Sequence, residues 1–95
     1  MEQQNHMQVV FDAKSENEGL ARMLVTAFMS EMNPTLEQIA DVKTAVSEAV
    51  TNAIIHGYEN EMESVRLSCD RDGQQLVVTV EDKGVGIADV EQAMQ

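Results

Sequence analysis

Glu48, Asn52 and His56 recur at four-residue steps in SEAVTNAIIHGY, and Asp82, Gly84 and Gly86 follow some thirty residues later in VEDKGVGI. These are residue types that can hold a polar ligand. A carboxylate at the end of a strand can accept a hydrogen bond from an exocyclic amine, and glycines two apart let the backbone turn sharply and come close to a ligand. A helix advances about 100° and about 1.5 Å per residue, so Glu48 and Asn52 lie about 40° and about 6 Å apart on one face. Each group alone also has a plain reading. Glu48 falls roughly 150° from the centre of its helix's apolar stripe, where charged residues are normally solvated. Asp82 and Gly84 could mark a surface turn. His56 suits a helix C-terminus, where it satisfies the last carbonyls and favours the dipole.

The elements that must position these residues are legible around them. Ile39, Val42, Val46, Ala49, Val50, Ala53 and Ile54 share one side of a long helix from Leu36 to His56, with Gly57 at the left-handed position beyond its end. Thr35 and Gln38 have the spacing of a capping box at its start, after the break NPT. Upstream, Met7 to Phe11 reads as a strand, and Ser15 with Glu18 announces a helix to about Met32 whose buried stripe is Leu20, Met23, Leu24, Ala27 and Phe28. Downstream, Val65, Leu67 and Cys69 alternate with polar neighbours, DRDGQQ turns the chain, and Leu76, Val78 and Val80 alternate up to Glu81. DKGVGI reads as a glycine-spaced loop and ADVEQAMQ as a helical turn. His6 falls in a frayed end and Tyr58 in a turn, while Met23, Met29, Met32 and Met62 read as core gap-fillers. The class is α+β, helices on a partly antiparallel sheet.

Composition limits the possible partners. The 95 residues suffice for one small domain, with 43% hydrophobic but only 3% aromatic residues, seven Met and no Trp, so the core is aliphatic. A net charge of -11 opposes nucleic-acid backbones and anionic membrane surfaces, and no run of about 20 apolar residues occurs. Cys69 is the single cysteine, which excludes an intramolecular disulfide and points to a reducing, cytoplasmic setting. Asp70, Asp72 and Glu81 imitate three positions of an EF-hand loop, but Gln75 stands where its sharp turn requires glycine, so calcium binding is not expected.

E-x-x-x-N on a long helix followed by D-x-G-x-G resembles the ATP-binding domain shared by gyrase, Hsp90, histidine kinases and MutL. Within that superfamily TAVSEAVTNAIIHGY and VEDKGVGI are similar to the anti-sigma serine/threonine kinases of spore-forming bacteria, and the likeness covers essentially the whole chain. The resemblance implies a two-layer α/β sandwich of the Bergerat type, with a mixed, mostly antiparallel sheet. It implies that Asn52 coordinates Mg²⁺ at the phosphates of ATP or ADP, and that Glu48 is the general base on a substrate serine. Asp82 would accept from the adenine amine, with Gly84 and Gly86 giving close backbone approach. A carboxamide oxygen and water suit hard Mg²⁺, and phosphoryl transfer needs chiefly positioning and charge neutralisation.

The resemblance also implies partners. These are a sigma factor and an anti-anti-sigma factor carrying the substrate serine, both meeting Glu18 and Arg22 on the first helix, in a homodimeric sporulation regulator. Family members continue past the D-x-G-x-G box into an ATP lid and a second glycine box, whereas this sequence stops at Gln95. Residues 1–95 are therefore expected to be the N-terminal portion of one kinase domain, binding ATP weakly or not at all, with an uncovered sheet edge that invites self-association. The alternatives are a general-stress anti-sigma kinase of the same build, a protein-binding module that keeps the fold without catalysis, and an acidic structural or cation-buffering protein.

Overall fold

The computed structural model describes residues 4–59, 64–82 and 86–93. Strand β1 (Gln4–Asp12) leads into helix α1 (Glu16–Met29), a short 3-10 turn (Ser30–Met32) and the long helix α2 (Leu36–Glu59). Strands β2 (Ser64–Asp72), β3 (Gln75–Asp82) and β4 (Gly86–Ala93) follow. The sheet order is β1-β2-β3-β4, and every pairing among the described residues is antiparallel, simpler than the mixed sheet expected. The two helices pack on one face, giving a two-layer α+β sandwich.

The core follows the sheet's period of two and the helix's period of 3.6. Val65, Leu67 and Cys69 of β2 and Leu76, Val78 and Val80 of β3 point inward and are buried, and Val42, Val46, Val50, Ala53 and Ile54 of α2 cover them. Each fully buried valine or methionine contributes about 1.5–3 kcal/mol relative to exposure. The hairpin from β2 to β3 turns at Gly73 and Gln74, with Gly73 at φ +64, as the first central residue of a type II′ turn requires.

The start of α2 behaves as its sequence predicts. Asn33 adopts a left-handed φ of 53 that ends the 3-10 turn, and a reciprocal capping box follows. Gln38 N donates to Thr35 Oγ1 at 3.0 Å, and Thr35 N donates to Gln38 Oε1 at 2.9 Å. Ser15 precedes α1 but makes no side-chain cap bond, because its own backbone is already helical (φ -58, ψ -29) and Glu18 N donates to its carbonyl at 3.2 Å, while the Glu18 carboxylate turns to α2.

Other expectations need correcting. The buried stripe of α1 is Ala21, Val25 and Met29, while Leu20 is 45% and Met23 65% exposed. The helix is apolar around much of its girth, so tertiary packing chose which stripe to bury, and small Ala21 faces inward. Helix α2 runs through Gly57 and Tyr58 to Glu59 rather than ending at His56. His6 is not frayed: it lies in β1, with Nδ1 2.6 Å from Asp70 Oδ1 on β2. Met29 and Met32 are core residues, Met23 is not, and Met62 lies outside the described residues. The segment read as a helical turn is strand β4, because Val90 pairs in register with Val78 and the open edge of β3 needs backbone partners. No helix of the described residues is long and apolar enough to cross a membrane.

Two tests follow from this packing. Thr35→Ala should cost about 1 kcal/mol in urea unfolding, whereas Ser15→Ala should be nearly neutral. Burial, with a smaller push from the Asp70 charge, raises the Cys69 thiol from 9.0 to about 12. Because the folded value lies above the unfolded one, this stabilisation is complete below about pH 9 and is lost as pH rises toward 12. Unfolding free energy measured across that window should fall more steeply in the natural protein than in Cys69→Ala.

Candidate functional site

Packing of the Val42, Val46 and Val50 stripe against the sheet fixes the rotation of α2, so its opposite side must face away from the core. Glu48 and Asn52 accordingly lie exposed, one helical turn apart. His56, one turn further, is 48% exposed at its side chain and leans toward the sheet. Asp82 ends β3 two residues after inward-facing Val80, so it falls on the inner face and is only 5% exposed. The two residues meet: His56 Nδ1 lies 3.1 Å from Asp82 Oδ2. An ionised carboxylate can only accept, so Nδ1 carries the hydrogen of this bond. Beyond its fitness for a helix end, His56 has one signal in the sequence that links it to the site, the four-residue step from Asn52.

Gly86 opens β4 and pairs with Asp82 in register, which brings one of the two sequence-marked glycines opposite the buried carboxylate. Gly84 lies outside the described residues.

Glu48 lines a different hollow. A groove of about 570 Å³ between α1 and the first half of α2 is bordered by Glu48, Ser47, Thr44 and Lys43 on one side and Arg22 on the other. Glu18 links two of its lining residues. Its Oε2 accepts from Ser47 Oγ of α2 at 2.5 Å and lies 3.7 Å from Arg22 Nη1, one turn along α1. Glu18 is therefore an interhelical strut, and Arg22, 43% exposed at its side chain, stands at the rim facing the same space as Glu48. Neither Ser47 nor Lys43 carried a signal in the sequence, since hydroxyl and ammonium groups on a polar helix face are ordinary.

The structure thus bonds Asp82 to His56 and sets Arg22 and Glu48 on one groove, with Asn52 between the two pairs on the exposed side of α2. Asp82 and Glu48 do not share a hollow: Asp82 borders a smaller cleft of about 130 Å³ with Val10, Ser64, Arg66 and Glu81. Among the described residues no three His, Cys, Asp or Glu side chains gather as a metal cage. An exposed carboxamide with a carboxylate one turn away fits a cation that keeps most of its waters and takes its remaining oxygens from phosphate, which is how Mg²⁺ is usually held.

Residues 11–95 match the family model described as a histidine kinase-like ATPase domain. The chain is 52% identical over 91 residues to the anti-sigma F factor of Clostridium kluyveri, covering 96% of this chain and 64% of that protein. It is 50% identical over 95 residues to the anti-sigma F factor of Thermoanaerobacter sp. strain X514, covering 100% of this chain and 66% of that one. Against the anti-sigma F factor of Clostridium acetobutylicum the identity is 53% over 92 residues, with coverage of 97% and 64%. The chain therefore spans just under two thirds of the length of the curated relatives it matches.

Glu18→Ala should lower unfolding free energy by about 1–2 kcal/mol, since hydrogen bonds to charged groups carry about 1.5–3 and this one is partly open to solvent. A double-mutant cycle with Ser47→Ala checks it, with a coupling above about 0.5 kcal/mol expected for residues in direct contact.

Proposed function

Because the chain belongs to the histidine kinase-like ATPase domain family, we propose that it forms the nucleotide-binding part of an anti-sigma factor that is also a serine kinase, using Mg-ATP to phosphorylate an anti-anti-sigma protein. The observation that carries this reading is the polar row of α2, where Glu48 and Asn52 are exposed and His56 bonds Asp82 at the end of β3. A nucleotide laid along this row meets a base-recognising carboxylate at one end and a catalytic carboxylate at the other.

In this reading Asp82 accepts a hydrogen bond from the adenine amine, and Gly84 and Gly86 let backbone approach the nucleotide. The side-chain oxygen of Asn52 would hold Mg²⁺. When bound, the cation neutralises phosphate charge and so offsets the repulsion between a polyanionic nucleotide and a chain of net charge -11. Glu48 takes the proton of the substrate serine as its oxygen attacks the γ-phosphorus. The bond from that phosphorus to the bridging oxygen then breaks, leaving phosphoserine and ADP.

The partners proposed are a sigma factor, supported by the names of the relatives, and the serine-bearing anti-anti-sigma protein. Both would meet α1 at Arg22 and Glu18 and so exclude one another. Support for this comes from the groove, because a chain that contacts Arg22 lies within reach of Glu48. The reading further places the protein as a homodimer in the cytoplasm of a sporulating cell.

In the full natural protein, Glu48→Ala should reduce phosphate transfer from labelled ATP to the serine substrate by at least about 100-fold while leaving Mg-ATP affinity within about twofold. Asn52→Ala should weaken Mg-ATP binding itself. If the unaltered protein yields no phosphoserine, yet binds the sigma factor, the chain is a binding module on this fold.

A further inference from the structure

The hydrogen bond between His56 and Asp82 has no place in the transfer chemistry, yet it joins the helix of the polar row to the strand end. Asp82 is 3% exposed at its side chain, and a carboxylate taken that far from water must have hydrogen-bond partners. The terminal torsion of an aspartate is also broad and roughly two-fold, so the backbone leaves the plane of the carboxylate undetermined. A donor held in a fixed place removes that freedom. His56 is such a donor, because its backbone sits two residues past Ile54 and three past Ala53, both packed into the core. Its Nδ1 engages Oδ2 at 3.1 Å.

The geometry points to His56 as a positioning residue for nucleotide selection: by holding Oδ2, it orients the Asp82 carboxylate that reads the 6-amino group of the purine. This rests on the proposed role of Asp82 as the adenine acceptor. His56 stands one turn beyond Asn52 on a single rigid helix, so the same bond sets the distance between the base-reading end of the row and its metal-binding end. Selection between purines and placement of the phosphates are thereby mechanically linked. A site built to pair with an amino group rejects an analogue lacking it only if its acceptor is already aimed, since a carboxylate free to turn can relax away from the mismatch.

Isothermal titration in the presence of Mg²⁺, comparing ATP with purine riboside triphosphate, which lacks the 6-amino group, tests this in the full natural protein. The unaltered protein should prefer ATP by about tenfold or more. His56→Ala should bring the two affinities to within about twofold by weakening ATP, with the analogue little changed. His56→Asn, whose side-chain amide can donate from nearly the position of Nδ1, should restore most of the preference. His56→Phe keeps the ring volume without a donor and serves as the loss variant should His56→Ala fail to fold. A merely structural histidine would alter stability and leave the ratio of affinities alone. Preference retained in His56→Ala or His56→Phe, together with preference lost in Asp82→Asn, would overturn the positioning role and leave the adenine assignment standing. Preference retained in Asp82→Asn would remove both.

Discussion

The seating of α2 on the inner face of the sheet is the constraint from which the rest of the molecule follows. Val42, Val46 and Val50 are wholly buried against Val65, Leu67, Val78 and Val80, and a helix locked by such a stripe has no rotational freedom left. That single fact decides where every polar residue of α2 points. Glu48 and Asn52 are carried to the exposed side, and His56, closer to the edge of the stripe, is carried toward the strand ends. A rotation of even one residue, about 100°, would carry Glu48 to a partly buried position like that of Ser47 or Ala49 and swing His56 away from Asp82.

Two polar contacts then register the remaining elements to that helix. Glu18 of α1 takes the hydroxyl hydrogen of Ser47, and Asp82 of β3 takes the hydrogen of His56. Both pair a carboxylate with a donor on α2, and both carboxylates are more buried than their type usually is. A half-buried or buried carboxylate is costly unless bonded, so these contacts tolerate few alternative arrangements. They make α2 the common reference for the groove that holds Glu48 and Arg22 and for the strand end that holds Asp82.

Sequence reasoning succeeded where a local rule had one solution. The stripe of α2 was legible because its apolar residues occupy one side only, and the Thr35 and Gln38 box because both partners are contiguous with the helix they cap. It failed where two solutions were locally equal. The first helix offers overlapping apolar stripes, and the choice of Ala21, Val25 and Met29 depended on the neighbour. The box at Ser15 and Glu18 has the same spacing as the one that formed, but Ser15 is itself helical, its carbonyl takes the Glu18 N–H, and a hydroxyl on another helix takes the glutamate's carboxylate. Residues 86–93 have little intrinsic preference, and the unpaired edge of β3 settled them as strand.

By itself, then, the sequence determined the identity of the two helices and the hairpin, the shared face of Glu48 and Asn52, and the nearness of Asp82 to a glycine pair, because periodicity and turn chemistry act over a few residues. Only the tertiary structure decided that His56 meets Asp82, that Glu18 braces α2 while Arg22 looks toward Glu48, and that the two carboxylates of the candidate site border separate hollows. Those relations span 26 positions in one case and 29 in another, and no local rule reaches that far. They exist because burying one apolar face brings distant polar groups into contact at its margins.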